Sequence, residues 1–179
     1  MATAERMVGR HIVEGQLGCP VCEAVYPIAG GAVLFGERTS AATRAEADEL
    51  LRTAALLDLA DPGGVVVLVG AWSVYAQPLA DVVDAHLLVV DPPVAQEGVS
   101  AIYAGGLIPL AAGSVRAVAT DAPELVVRAL RVGGRVLAPV AAAVPEGVRE
   151  LARDDRHWVG EAILAAPTVQ LRRGGAGQS

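Results

Sequence analysis

Val65-Val66-Val67-Leu68-Val69-Gly70-Ala71-Trp72-Ser73-Val74 is the stretch on which the fold turns. Its first five residues are β-branched or Leu without a polar break. Such a run suits a strand buried on both faces, as in the middle of a parallel sheet. Gly70 then opens a turn at the strand's carboxyl end.

Upstream, Thr43-Arg44-Ala45-Glu46 is a capping-box pattern that predicts a helix start. Ala47, Leu50, Leu51, Ala54 and Leu57 then share one face at helical spacing, and Asp61-Pro62-Gly63-Gly64 stops the helix. Downstream, 77–85 reads as a short helix and 86–90 as the next strand, ending at Asp91-Pro92-Pro93. Strands are expected at 99–103 and 115–119. Asp121-Ala122-Pro123-Glu124 opens a predicted helix that carries Leu125, Val126, Ala129 and Leu130 and stops at Gly133-Gly134. A fifth strand is expected at 135–140, then a helix from Pro145 to about Arg153. Segments 158–164 and 168–171 are expected to close the sheet as an antiparallel pair, and 174–179 reads as a disordered tail. Alternating strands and helices predict a doubly wound α/β sheet, with ligands at the carboxyl ends of its strands.

Composition narrows the function classes. Hydrophobic residues make up 53% of the 179 and aromatics only 3%, so the core is built from Val, Leu, Ile and Ala. No apolar run approaches the roughly 18 residues of a membrane span. No charged segment precedes an apolar stretch at the N-terminus, so no signal peptide is expected and the cytoplasm is the default location. The net charge is −6, with Arg as the only strong base. An acidic chain whose only Arg pair is Arg172-Arg173 is not expected to bind nucleic acid, because phosphate contacts dominate that affinity.

From about residue 43 to 173 the segment order resembles the class I S-adenosylmethionine-dependent methyltransferases. Ala129-Leu130-Arg131-Val132-Gly133-Gly134-Arg135-Val136-Leu137 is similar to that family's helix, Pro-Gly-Gly turn and fifth strand, with Val132 in place of Pro. Leu107-Ile108-Pro109-Leu110-Ala111-Ala112-Gly113-Ser114-Val115 resembles the family's LPF-x-DGSFD segment before the fourth strand. The resemblance implies a Rossmann-like seven-stranded sheet over 39–173. It also implies an acidic residue and a GxGxG turn around the first strand, where this chain departs. Leu68 stands where the acid belongs, and Gly70 matches the first glycine. Trp72 and Val74 stand at the second and third glycines, and Arg116 replaces an acid near the fourth strand. A Trp in place of a Gly is expected to obstruct the methionine part of the cofactor, and Val disfavours positive φ. By the same resemblance Asp91 would hold the ribose hydroxyls; read from its own neighbours, it is a cap before Pro92-Pro93. Gly70 and Asp91 are therefore the cofactor-binding candidates, and no catalytic residue is expected.

Residues 1–38 read as a separate β-rich module with a hairpin at Gly30-Gly31. Gly18-Cys19-Pro20-Val21-Cys22 with Tyr26-Pro27-Ile28 resembles half of a zinc ribbon, as in the activator subunit of tRNA and ribosomal methyltransferases. Structural zinc needs four ligands, and only one Cys pair is present. Three outcomes stay open for the metal candidates Cys19 and Cys22. The turn carries no metal, or two chains pool their pairs across a dimer, or His11 and a carboxylate (Glu14 or Glu23) complete a site within one chain. A redox CxxC is disfavoured because that motif opens a helix and Val25-Tyr26-Pro27 does not.

His86 and His157 read as structural, and Asp81, Asp84, Asp154 and Asp155 as solvated charges. The expected function is that of a non-catalytic methyltransferase-like protein acting through a protein partner or as a homo-oligomer, with no cofactor required. The alternative is a divergent methyltransferase that binds S-adenosylmethionine and acts on a small molecule or other acceptor. RNA modification, suggested by the ribbon, is opposed by the acidic charge.

Overall fold

The structure is a computed structural model that describes residues 1–37, 47–94, 96, 98–106 and 108–163. The expected capping box at 43–46, the 168–171 strand and the 174–179 tail lie outside the described residues. So do residues 38–46, where the N-terminal module was expected to end.

Among the described residues, eleven strands form one sheet. They are β1 (Ala2–Val8), β2 (His11–Gly18), β3 (Val25–Ala29), β4 (Ala32–Leu34), β5 (Val65–Val69), β6 (His86–Val90), β7 (Ser100–Tyr103), β8 (Val115–Ala119), β9 (Leu130–Pro139), β10 (Val148–Arg153) and β11 (His157–Ala162). The spatial order is β1-β2-β3-β4-β7-β6-β5-β8-β9-β11-β10. Strands β7, β6, β5, β8 and β9 are mutually parallel, and β11 returns antiparallel between β9 and β10. Strand order reverses between β5 and β8, where a doubly wound sheet forms its ligand crevice. The first four strands form an antiparallel meander, and β4 continues the same sheet by pairing parallel to β7.

The apolar run Val65–Val69 is β5. Its alternate residues supply the two faces of the core. Val66 and Leu68 pack on one face with Leu57, Ala76 and Leu79 from the helical side, while Val67 packs on the other with Val118, Val136 and Trp158. Helix α1 (Ala47–Leu56) and helix α2 (Ala76–Ala80) cover the first face. Leu51, expected on the apolar stripe of α1, is 66% exposed, whereas Glu49 and Thr53 are buried.

Three expected helices are corrected. The one at 77–85 is reduced to the short α2. The one opening at Asp121 becomes two 3-10 turns, Pro123–Leu125 and Val127–Ala129, because Leu130 is already drawn into β9 opposite Val115. Gly133-Gly134, expected as a helix stop, instead lies in the irregularity of β9: a Cβ at Gly134 would sit 2.9 Å from the Arg116 carbonyl, a gap only glycine tolerates. The third, at 145–153, is the edge strand β10. Helix-favouring residues there are overridden by pairing with β11, and their charges point to solvent, as suits an edge.

Candidate functional site

At the crevice position, Val69 is followed by a 3-10 helix, Gly70–Tyr75, that runs into α2. Gly70 takes a left-handed φ of 57°, with nothing within 4 Å of where a Cβ would sit. Its carbonyl accepts from the Ser73 hydroxyl at 2.7 Å. Trp72 is 6% exposed. Its indole N–H donates to the Asp121 carboxylate at 3.0 Å, just beyond the end of β8. The indole thus reaches across the carboxyl ends of β5 and β8 at the strand-order reversal. Tyr75 packs near it, with ring centroids 6.3 Å apart.

On the other side of the turn, Gln96 acts as a clasp. Its amide donates to the Ser73 carbonyl and accepts from the Gln77 N–H, each at 3.2 Å. Asp91 directly follows β6, with a left-handed φ of 48°. Its carboxylate accepts from the Ala104 N–H at 2.7 Å, and its own N–H donates to the Ile102 carbonyl at 2.8 Å. Both bonds tie β6 to the end of β7. Leu68 is fully buried core and Val74 belongs to the 3-10 helix, so neither carries a polar anchor.

Arg116 enters β8, as read from the sequence, and lies near its start, at the edge opposite Gly70 and Asp91. Its buried guanidinium donates to the carbonyls of Asp58 (2.6 Å), Asp61 (2.5 Å) and Gly63 (2.9 Å), gathering the loop before β5. It fastens the sheet and takes no part in the crevice.

Sequence reasoning missed a polar cluster beside Trp72. His157 begins β11, its ring centroid 5.2 Å from that of Trp72. Its Nδ1 lies 3.4 Å from Glu49 Oε1, and the other Glu49 oxygen is paired with Arg156 at 2.9 Å. Glu49 Oε1, Thr53 Oγ1 and His157 Nδ1 are buried without a hydrogen bond. Burial pushes the His157 imidazole below its ordinary value; Arg52 and Arg156 act in the same sense, against the opposing pull of Glu49 and Asp154. Asp154, expected as a solvated charge, accepts from the His157 and Arg156 N–H groups at 2.8 Å and pairs with Arg52. Those backbone donors, with Arg52, lower its carboxyl to about 2. The one trace of this cluster in the sequence is Glu49 and Thr53, polar at i and i+4 within the apolar stripe of α1.

Cys19 is half-buried and Cys22 exposed, in the turn between β2 and β3. No third ligand-type side chain joins them among the described residues.

No protein-family model matches this chain. No curated protein matches it either. Among solved structures, it is similar to a geranyl diphosphate methyltransferase in complex with GPP and sinefungin: 18% identity, TM-score 0.45, 52% of this chain and 44% of that one. The chain therefore spans less than half the length of that enzyme. It is also similar to the antibiotic-resistance methyltransferase Kmr, at 16% identity and TM-score 0.45, over 65% of this chain and 93% of that one. A third likeness is to a protein from Methanococcus maripaludis described as an S-adenosyl-L-methionine-dependent methyltransferase, at 8% identity and TM-score 0.46, over 67% and 86% of the two chains. At such identities and scores, neither a fold assignment nor a residue's role is taken from these neighbours.

Proposed function

We propose that this chain is a methyltransferase-like protein that transfers no methyl group and works through protein contacts, either with a copy of itself or with a partner enzyme. One observation carries the reading: Trp72 is buried across the carboxyl ends of β5 and β8 and bonded to Asp121. A nucleotide cofactor in a doubly wound sheet needs that crevice open and needs backbone N–H groups and an acid free to meet it. Here Gln96 takes the Ser73 carbonyl and the Gln77 N–H, and Asp91 is engaged with Ala104. Calorimetric titration of the purified chain with S-adenosylmethionine is expected to give no heat of binding. Binding at micromolar Kd sinks this reading.

Methyl transfer from S-adenosylmethionine is the second reading. Gly70 favours it: left-handed and open on its Cβ side, it leaves backbone accessible where a cofactor approaches. Such an enzyme works by aligning acceptor and methyl group, so the lack of an evident acid or base does not oppose it. Under this reading the chain binds S-adenosylmethionine and Asp91→Ala removes that binding.

A further inference from the structure

A cavity of about 570 Å³ opens where the antiparallel meander of β1 to β4 meets the loop after β7. Leu17 of β2, Tyr26 of β3 and Phe35 just past β4 line one side. Ala104 and Pro109, both beyond the end of β7, line the other, with Pro20 from the β2–β3 turn. Backbone bonds fix this seam: β4 pairs with β7, and the Phe35 and Gly36 N–H groups both donate to the Tyr103 carbonyl, at 2.8 and 2.9 Å. The cavity is therefore set by the register of the sheet. No residue of its lining belongs to the crevice at Gly70, Trp72, Asp91 and Gln96.

The chain has one Phe and three Tyr, and it places that Phe and one Tyr on this wall. Both rings are half-buried, with centroids 4.6 Å apart and planes tilted by 55°. Pro20 and Pro109 add apolar rings that are exposed. None of the lining side chains is charged. Backbone donors of the wall are spent inside the chain: Gly18 on the Met1 carbonyl at 2.7 Å, Cys19 on the Ala24 carbonyl at 2.8 Å and Ala104 on the Asp91 carboxylate at 2.7 Å. A charged ligand loses its water there and gains no partner. A hydrocarbon surface, by contrast, gains about 25 cal/mol for each Å² removed from water.

We propose that this cavity is a binding site for a small uncharged molecule, rich in hydrocarbon and built on one or two flat rings. Its volume lies within the roughly 300–1,000 Å³ of small-molecule sites, and a seam between two parts of a fold is a usual place for one. The tilted Tyr26–Phe35 pair presents a ring face beside a ring edge, which a further ring meets in edge-to-face or offset contact. Binding here does not depend on whether the crevice at Trp72 takes a cofactor.

The test titrates the full chain with N-phenylnaphthylamine, an uncharged fluorescent arene, and with its charged relative anilinonaphthalene sulfonate. Saturable binding of one N-phenylnaphthylamine per chain is expected, with the sulfonate weaker by more than about tenfold. Phe35→Ala is expected to weaken binding about fivefold, the worth of one aromatic contact. Val21→Ser, at an exposed tip outside the lining, is expected to leave it unchanged. A readout without substitution comes from the thiols. Bound N-phenylnaphthylamine is expected to slow alkylation of Cys19, which lines the cavity, and not of Cys22, which is exposed and does not, as read by peptide mass spectrometry. No saturable binding, equal affinity for the sulfonate, or Cys19 left unshielded overturns the proposal. So does binding that weakens as chain concentration rises, the sign of a second copy filling the cavity.

Discussion

The indole N–H of Trp72 donates to the Asp121 carboxylate across 3.0 Å, joining the turn after β5 to the loop after β8. The bond lies at the reversal of strand order, the place where a doubly wound sheet otherwise opens to a ligand. A residue that cannot serve a GxGxG turn has become a packing and hydrogen-bonding element of the crevice itself.

Removing that indole is expected to be costly. Trp72→Ala vacates a buried aromatic and is expected to destabilise the fold by about 3–5 kcal/mol, the usual range for such truncation. Trp72→Phe keeps a ring and loses mainly the Asp121 bond, at about 1 kcal/mol. Urea unfolding midpoints check both. A loss below about 1 kcal/mol for the Ala variant contradicts a packed indole.

Arg116 is expected to matter for stability and not for ligand binding. Arg116→Met leaves the carbonyls of Asp58, Asp61 and Gly63 without their buried donor. The expected cost is about 1–3 kcal/mol, the range for buried acceptors left without their donor. A thermal melt unchanged by this substitution refutes the role assigned to it.

Asp91 distinguishes a fastening role from a ribose-binding one. Asn tolerates the left-handed conformation and keeps an acceptor for Ala104, so Asp91→Asn is expected to stay within about 1 kcal/mol of the parent. Asp91→Ala loses the acceptor and is strained at φ 48°, for an expected cost of about 2 kcal/mol. Equal losses in the two variants, by chemical denaturation, contradict the fastening role.

His157 links stability to pH. Its imidazole titrates below its ordinary value of 6.5 because burial disfavours the charged form. The unfolded chain then takes up a proton before the folded one does, so stability falls as pH drops from 6.5 through the folded value and is intact above it. Melting temperatures between pH 7.5 and 5 are expected to decline, and His157→Gln is expected to flatten that part of the decline. The Asp154 contribution belongs to a separate, more acid window, between its ordinary value of 3.8 and about 2. A parent and a Gln variant with the same slope above pH 5 refute the assignment.

Much of the central sheet was legible from composition and period. Val65–Val69 and Val115–Ala119 are unbroken or nearly unbroken apolar stretches of strand length, which suit strands buried on both faces. Edges and short connections were not legible. Val148–Arg153 has the residues of a helix and lies as a strand because β11 offers it a partner. Leu51 fits the helical stripe and is exposed, since the orientation of α1 is set by what Glu49, Thr53 and Leu57 meet beneath it.

The candidate site divides the same way. The sequence by itself determined that Gly70 opens a turn after a buried strand, that Trp72 and Val74 stand where glycines were expected, and that one CxxC pair is present. These are local properties, set by residue type and spacing. Only the tertiary structure decided that Trp72 reaches Asp121, that Arg116 serves the opposite edge of the sheet and that His157 meets Glu49. Each of those contacts joins residues far apart in the chain, and such partners become neighbours only when the order of strands and the placement of α1 bring them together.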